Sequence, residues 1–335
     1  MERVADNLNR ALHTAFAADP GLFLLGEDVA DPYGGAFKIT KGLSSGYPDR
    51  VLSTPISEQS LVGVANGLAL SGGRAIVEIM FGDFATLAFD QIVNFAAKSV
   101  AMYGRRVEVP VIVRCPTGGR RGYGPTHSQS LQKHFIGVPH LSVHEISPFH
   151  DSTALLAGLL AEGEPAVLFE DKVLYTQPMH EPGTDGPFVA DFPFGAGGPA
   201  RLRASDGDDA ADCVIIVPGG VARRALAAAG TLFAEHEITC EVIVPTRLYP
   251  FDVEPLLPAL AGAEVVCLVE DSAAGGTWGS EVAGRVYERL WGRLRRPVVL
   301  CSAEAEVIPT AAHLEQTVLP QAPDIHRAIW EALHA

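Results

Sequence analysis

The chain has 335 residues, 47% of them hydrophobic, with 25 Lys+Arg against 40 Asp+Glu for a formal net charge of -15. So large an apolar share excludes disorder, and the length favours two packed domains. The acidic balance argues against a nucleic-acid partner, since phosphate backbones are bound by clustered Lys and Arg.

At the amino end, Val4, Leu8, Ala11, Ala15 and Phe16 recur at helical spacing, and Pro20-Gly21 then breaks the pattern before the apolar run Leu22–Leu25, giving a helix followed by a strand. The alternation continues with strand Val51–Thr54, helix Gln59–Leu70, strand Ala75–Met80 and helix Phe84–Ala101. After these come strands Pro110–Arg114 and Leu141–Ile146, helix Ser152–Ala161 and strand Ala166–Glu170. Near-continuous apolar strands between helices imply a parallel sheet covered on both faces.

From about Asp171 the pattern dissolves into a stretch rich in Pro, Gly and Asp, with Pro178, Pro182, Gly183, Gly186, Pro187 and Gly195–Pro199. Periodicity resumes with strand Cys213–Val217, helix Val221–Glu235, strand Cys240–Val244 and helix Val253–Leu260. Strand Glu264–Glu270, helix Ser280–Leu290, strand Val298–Cys301 and a helix near Ile325–Leu333 complete it. The expected division is a first α/β domain over 1–176, a linker over 177–209 and a second, smaller α/β domain over 210–335. No run of 18 or more apolar residues appears, and Met1–Arg10 lacks the layout of a secretory signal. No membrane association and a cytoplasmic location are expected.

The five cysteines include no C-x-x-C pair, so neither a disulfide framework nor a cysteine metal site is signalled, and no residue is assigned to a metal. The loop Gly118-Gly119-Arg120-Arg121-Gly122-Tyr123-Gly124 matches neither the dinucleotide fingerprint nor the Walker loop. It places Arg120 and Arg121, either solvated or anion-binding, a few residues before His127. Glu58, in Ser53–Ser60 (STPISEQS), sits where ligands bind in open α/β folds, just beyond a strand's carboxyl end. The same residue type there also offsets the positive end of a helix. His127 lies in a polar loop, and Phe84 opens a helix beyond a strand, where an aromatic serves either packing or a ligand.

Taken together, Gly26-Glu27-Asp28-Val29, Tyr33-Gly34-Gly35-Ala36-Phe37, Thr54-Pro55-Ile56-Ser57-Glu58, Phe89-Asp90-Gln91-Ile92-Val93-Asn94 and His127-Ser128-Gln129-Ser130 resemble the beta subunit of thiamine-diphosphate-dependent E1 components of 2-oxo acid dehydrogenase complexes. The resemblance runs from about Asn7 to the carboxyl end. It implies a thiamine-diphosphate pyrimidine-binding domain followed by a transketolase C-terminal-like domain. It also implies that Glu58 hydrogen-bonds N1′ of the cofactor's aminopyrimidine, that Phe84 stacks on that ring with Ile56 beside it, and that His127 serves the substrate as acid or oxygen-stabilising group.

The Gly-Asp-Gly motif with a following Asn that holds diphosphate and Mg²⁺ in thiamine enzymes is missing: Gly82-Asp83-Phe84 is the nearest string, and Asn94 follows too closely. The resemblance therefore implies an alpha-type partner that carries most of the Mg²⁺ site, in an α2β2 heterotetramer. The implied activity is decarboxylation of a 2-oxo acid with transfer of the acyl unit to the lipoyl group of an E2 protein. Two alternatives stand beside it. One is transketolase-like two-carbon transfer from a ketose phosphate to a carrier-protein thiol or other acceptor, motivated by Arg120 and Arg121. The other is a catalytically silent assembly subunit.

Overall fold

The computed structural model describes residues 1–181, 187–195, 197–204 and 210–335. Pro182, Gly183 and Gly186 of the expected linker lie outside the described residues. The chain divides into two compact units, one of Met1–Gly118 with His134–Met179, the other of Gly119–Lys133 with His180–Ala335.

The first unit contains helices α1 (Val4–Ala18), α2 (Leu43–Gly46), α3 (Glu58–Leu70), α4 (Ala97–Ser99) and α5 (Ser152–Glu162). Its strands are β1 (Leu22–Gly26), β2 (Val51–Ser53), β3 (Arg74–Glu78), β4 (Val111–Thr117), β5 (Ser142–Glu145) and β6 (Ala166–Asp171). They lie side by side in the order β5-β6-β4-β3-β1-β2. Every one of these neighbours is parallel. Parallel strands need crossover connections, and the helical segments between the apolar runs supply them.

Helix α1 buries Val4, Leu8, Ala11, Leu12 and Phe16 in one cluster with Leu156 and Leu159 of α5. Each such large side chain contributes roughly 1.5–3 kcal/mol by leaving water. The helix stops at Asp19, whose extended backbone and Oδ1, accepting the Gly21 N–H at 2.8 Å, turn the chain into β1.

The expected helix Phe84–Ala101 is a composite: a 3₁₀ turn over Gly82–Ala88, a π-helical stretch over Gln91–Ala96 and then α4. The cause is a side chain in the hydrogen-bond ladder, since Asn66 Nδ2 of α3 donates to the Gln91 carbonyl at 2.9 Å. Periodicity reports the buried stripe and is blind to this insertion.

The second unit contains strands β7 (Phe188–Asp191), β8 (Ala200–Ala204), β9 (Cys213–Ile216), β10 (Cys240–Val244), β11 (Arg247–Tyr249), β12 (Val265–Ala273) and β13 (Val299–Ala303). Its helices are α6 (Ala222–His236), α7 (Leu257–Gly262), α8 (Trp278–Leu290), α9 (Ala312–Val318) and α10 (Ala322–His334). The sheet order is β13-β12-β9-β10-β8-β7. The first four are parallel, whereas β8 and β7 run antiparallel. Both antiparallel strands come from the Pro- and Gly-rich stretch after Asp171, which carries little apolar alternation because an edge hairpin buries few side chains.

Cys213, Cys240 and Cys267 lie buried on the central strands. The hydrogen bond with Cys240 first, and then burial, push the Cys213 thiol well up, and burial pushes Cys301 up to about 11, so Cys213 and Cys301 stay protonated. Among the described residues no helix is long and apolar enough to cross a membrane.

Candidate active site

The parallel sheet of the first unit delivers charged and aromatic side chains to its carboxyl edge. Glu27 follows β1 directly, Glu58 opens α3 just beyond β2, Glu78 ends β3 and Phe84 lies in the 3₁₀ turn after it. Glu58 and Glu27 are each only 5% exposed. The Glu27 carboxyl receives the Ser57 N–H, yet its Oε1 has no hydrogen-bond partner among the described residues. Burial first, and then the nearby Glu58 charge, push the Glu27 carboxyl above its ordinary value. A carboxyl raised in this way keeps its proton to higher pH than an exposed glutamate.

Phe84 meets Phe81 edge-on at 6.4 Å between ring centroids, and Phe81 in turn meets Phe37 edge-on at 5.6 Å. Phe37 belongs to the Tyr33–Phe37 loop, so that sequence string and the Phe81–Phe84 segment form one aromatic group. Ile56 is 78% exposed, an apolar side chain that the chain itself leaves uncovered.

A charged network lies at the same strand ends. The register pairs Glu78 with Arg114, and the Arg114 guanidinium donates to Glu78 Oε2 at 2.7 Å and to both oxygens of Glu170 at 2.6 and 2.8 Å. Tyr175 donates its hydroxyl to Glu170 at 2.6 Å. All these groups are buried, and burial, opposed by Arg114, raises the Glu78 carboxyl. Gly35 has φ +80, and a Cβ there would lie 2.6 Å from Glu78 Oε1, so the paired glycines at 34 and 35 let the loop close onto the network.

The loop 119–133 belongs to the second unit and carries the other candidates. Arg120, left-handed at φ +68, pairs through its guanidinium with Asp271 of β12 and reaches the Gly220 carbonyl at 3.3 Å. Its backbone N–H donates to Glu315 of α9 at 2.6 Å. Asp271 also accepts from Arg224 at 2.7 Å. Burial raises the Asp271 carboxyl, but the two arginines outweigh it and hold the group below its ordinary value. A Cβ at Gly119 would lie 2.6 Å from Leu319 Cδ1, so close packing against α9 accounts for that glycine. Arg121 is exposed, and His127 is partly buried with Nδ1 2.9 Å from Thr126 Oγ1.

Glu58, Ile56 and Phe84 thus belong to the first unit, and Arg120, Arg121 and His127 to the second. Sequence reasoning gave no role to Glu27, Glu78, Arg114, Glu170 or Asp271. The available signal was the position of acidic residues at or just beyond the ends of apolar strands, and of one arginine inside a strand.

Residues 3–178 match the family described as transketolase, pyrimidine binding domain, and residues 204–325 match transketolase, C-terminal domain. Over 328 residues the chain is 34% identical to the pyruvate dehydrogenase E1 component subunit beta-1, mitochondrial, of Arabidopsis thaliana, covering 97% of this chain and 87% of that one. The chain belongs to the E1 beta-subunit family of transketolase-type proteins. This E1 beta-type chain is also 31% identical over 330 residues to the acetoin:2,6-dichlorophenolindophenol oxidoreductase subunit beta of Cupriavidus necator, with 96% and 94% of the two chains covered. A solved structure described as "Split gene transketolase, inactive beta4 tetramer" shares its fold at TM-score 0.77 and 22% identity, over 100% of this chain and 99% of that one.

Proposed function

We propose that this chain is the beta subunit of a thiamine-diphosphate-dependent E1 enzyme that decarboxylates a 2-oxo acid and passes the acyl unit to a lipoyl-bearing E2. It works with an alpha-type partner in an α2β2 assembly, and the partner holds most of the diphosphate and Mg²⁺ site. The observation that carries this reading is the buried carboxyl pair Glu27 and Glu58 at the sheet's carboxyl edge, with one orphaned oxygen and the Glu27 proton affinity raised.

That donor set fits an aminopyrimidine. Glu58 would hydrogen-bond a ring nitrogen there, and the flat aromatic group of Phe81 and Phe84 would suit the ring's face. When bound, thiamine diphosphate supplies the carbon nucleophile and the electron sink for loss of CO₂. Glu58 would orient that ring nitrogen by a hydrogen bond, beside Glu27, whose carboxyl is raised first by burial. His127 hydrogen-bonds or protonates the substrate oxygen on which charge develops, and Thr126 at its Nδ1 sets the imidazole's orientation.

The need for a partner is supported by the uncovered apolar side chains Ile56 just before α3, Val64 on α3, and Leu87 and Phe89 in and beside the 3₁₀ turn packed against it. The arginine loop does not favour the ketose-phosphate alternative, because the Arg120 guanidinium is bound to Asp271.

The test is to co-purify the chain with an alpha-type partner, add thiamine diphosphate and Mg²⁺, and follow CO₂ release from a panel of 2-oxo acids. Release from one of them, lowered at least about 100-fold in kcat by Glu58→Gln, is expected. Two-carbon transfer from a ketose phosphate without CO₂ release would refute the E1 reading, and full turnover of an assembled Glu58→Gln variant would refute the role of Glu58.

A further inference from the structure

The second unit contains a group of side chains that the proposed activity does not use. Glu235 and His236 are the last two residues of α6, and Glu237 beyond them ends the helix in left-handed backbone at φ 59. His326 stands in the first half of α10. The Nε2 atoms of His236 and His326 each lie 3.7 Å from the same carboxylate oxygen, Glu235 Oε2. One ligand atom from each of the three residues can be chosen so that all lie within 4.8 Å of one another.

These spacings are too long for hydrogen bonds, which need about 2.7–3.2 Å. They are close to the roughly 3.3–3.5 Å that separates two ligand atoms when both bind one Zn²⁺ at about 2.1 Å. His326 Nε2 is buried and has no hydrogen-bond partner among the described residues. The His236 ring is fixed from the other side: it stacks on Trp330 of α10 at 3.9 Å and 28°. The His236 and His326 rings lie 5.4 Å apart, so one turn of α10 both orders the first ligand and supplies the second.

We infer that Glu235, His236 and His326 form a binding site for a borderline divalent transition-metal ion such as Zn²⁺, which clamps the carboxyl end of α6 to α10. Two imidazoles and one carboxylate are the ligand types that suit Zn²⁺, Ni²⁺ and Cu²⁺, whereas Mg²⁺ and Ca²⁺ select oxygen-only sites. Glu235 is exposed, so water would complete the coordination. The inference is independent of the thiamine reading. His236 and His326 are 90 positions apart in the sequence and show no ligand spacing along the chain.

The test uses the full chain freed of metal by a chelator and titrated with Zn²⁺ by calorimetry, with Co²⁺ as a spectroscopic probe. One saturable equivalent of Zn²⁺, with visible Co²⁺ absorption of intensity typical of nitrogen and oxygen ligands, is expected. His326→Gln and His236→Gln should each weaken binding at least 10-fold, with folding checked by circular dichroism. If either variant misfolds, Ni²⁺ quenching of tryptophan fluorescence in the native chain, lost in Glu235→Gln, decides the matter through Trp330. Absence of saturable binding, or an equivalent that survives in His236→Gln/His326→Gln, would overturn the site, as would binding of Mg²⁺ with equal affinity.

Discussion

Replacing Arg114 by Met removes the positive charge that donates to both Glu78 and Glu170 in the interior of the first unit, and keeps an unbranched apolar stem. Three charge-assisted hydrogen bonds go with it. At about 1.5–3 kcal/mol each they sum to roughly 4–9 kcal/mol. Against this, the guanidinium no longer has to be stripped of water, so the net loss should be about 3–5 kcal/mol, the range found when one partner of a buried pair is removed.

The loss carries a pH signature. Burial already raises Glu78 in the native chain, and Arg114 is the main influence holding it down. Without that influence the folded-state value climbs further above the unfolded one. The folded state then binds the proton more tightly than the unfolded state, so stability is greatest below the unfolded value and falls as pH rises through the folded one. Urea unfolding of the full chain followed by circular dichroism between pH 5 and 8 should therefore show the largest deficit at pH 8 and a smaller one at pH 5. A deficit below about 1 kcal/mol at neutral pH, or one that grows on acidification, would refute the reasoning.

Three further outcomes follow from the same geometry. Asp271→Asn strips two arginines of their carboxylate and should cost about 3 kcal/mol; hydrogen exchange should accelerate across 119–133, and protection unchanged there would show that Asp271 does not hold the loop. Gly119→Ala drives a methyl against Leu319 Cδ1 and Glu315 and should destabilise by about 1–3 kcal/mol, measured by thermal unfolding against Gly46→Ala, where an added Cβ meets nothing within 4 Å. Glu58→Gln removes the second cause of the raised Glu27 value, so the Glu27 carboxyl should titrate lower in an NMR titration, although burial keeps it above an ordinary glutamate; no movement would mean that the two groups do not interact.

The sequence alone determined the α/β class, because apolar strands alternating with amphipathic helices have one economical packing, a covered parallel sheet. It also determined the family, because strings such as Thr54–Glu58 and Phe89–Asn94 are local and survive in order along the chain. It placed Glu58 beyond a strand end, since position at a strand end is a property of chain order. The tertiary structure decided what depends on pairs distant in sequence. Glu27 is raised because the fold buries it and brings Glu58 near, against the Ser57 N–H, which pulls it down. Asn66 turns the expected helix after Phe84 into a π-helical stretch. Arg120, which sequence could leave either solvated or anion-binding, is committed to Asp271, 151 positions away. Sequence periodicity records which residues leave water, and a buried charge or an inserted side chain leaves no period; its partner is fixed only when the sheet sets the register.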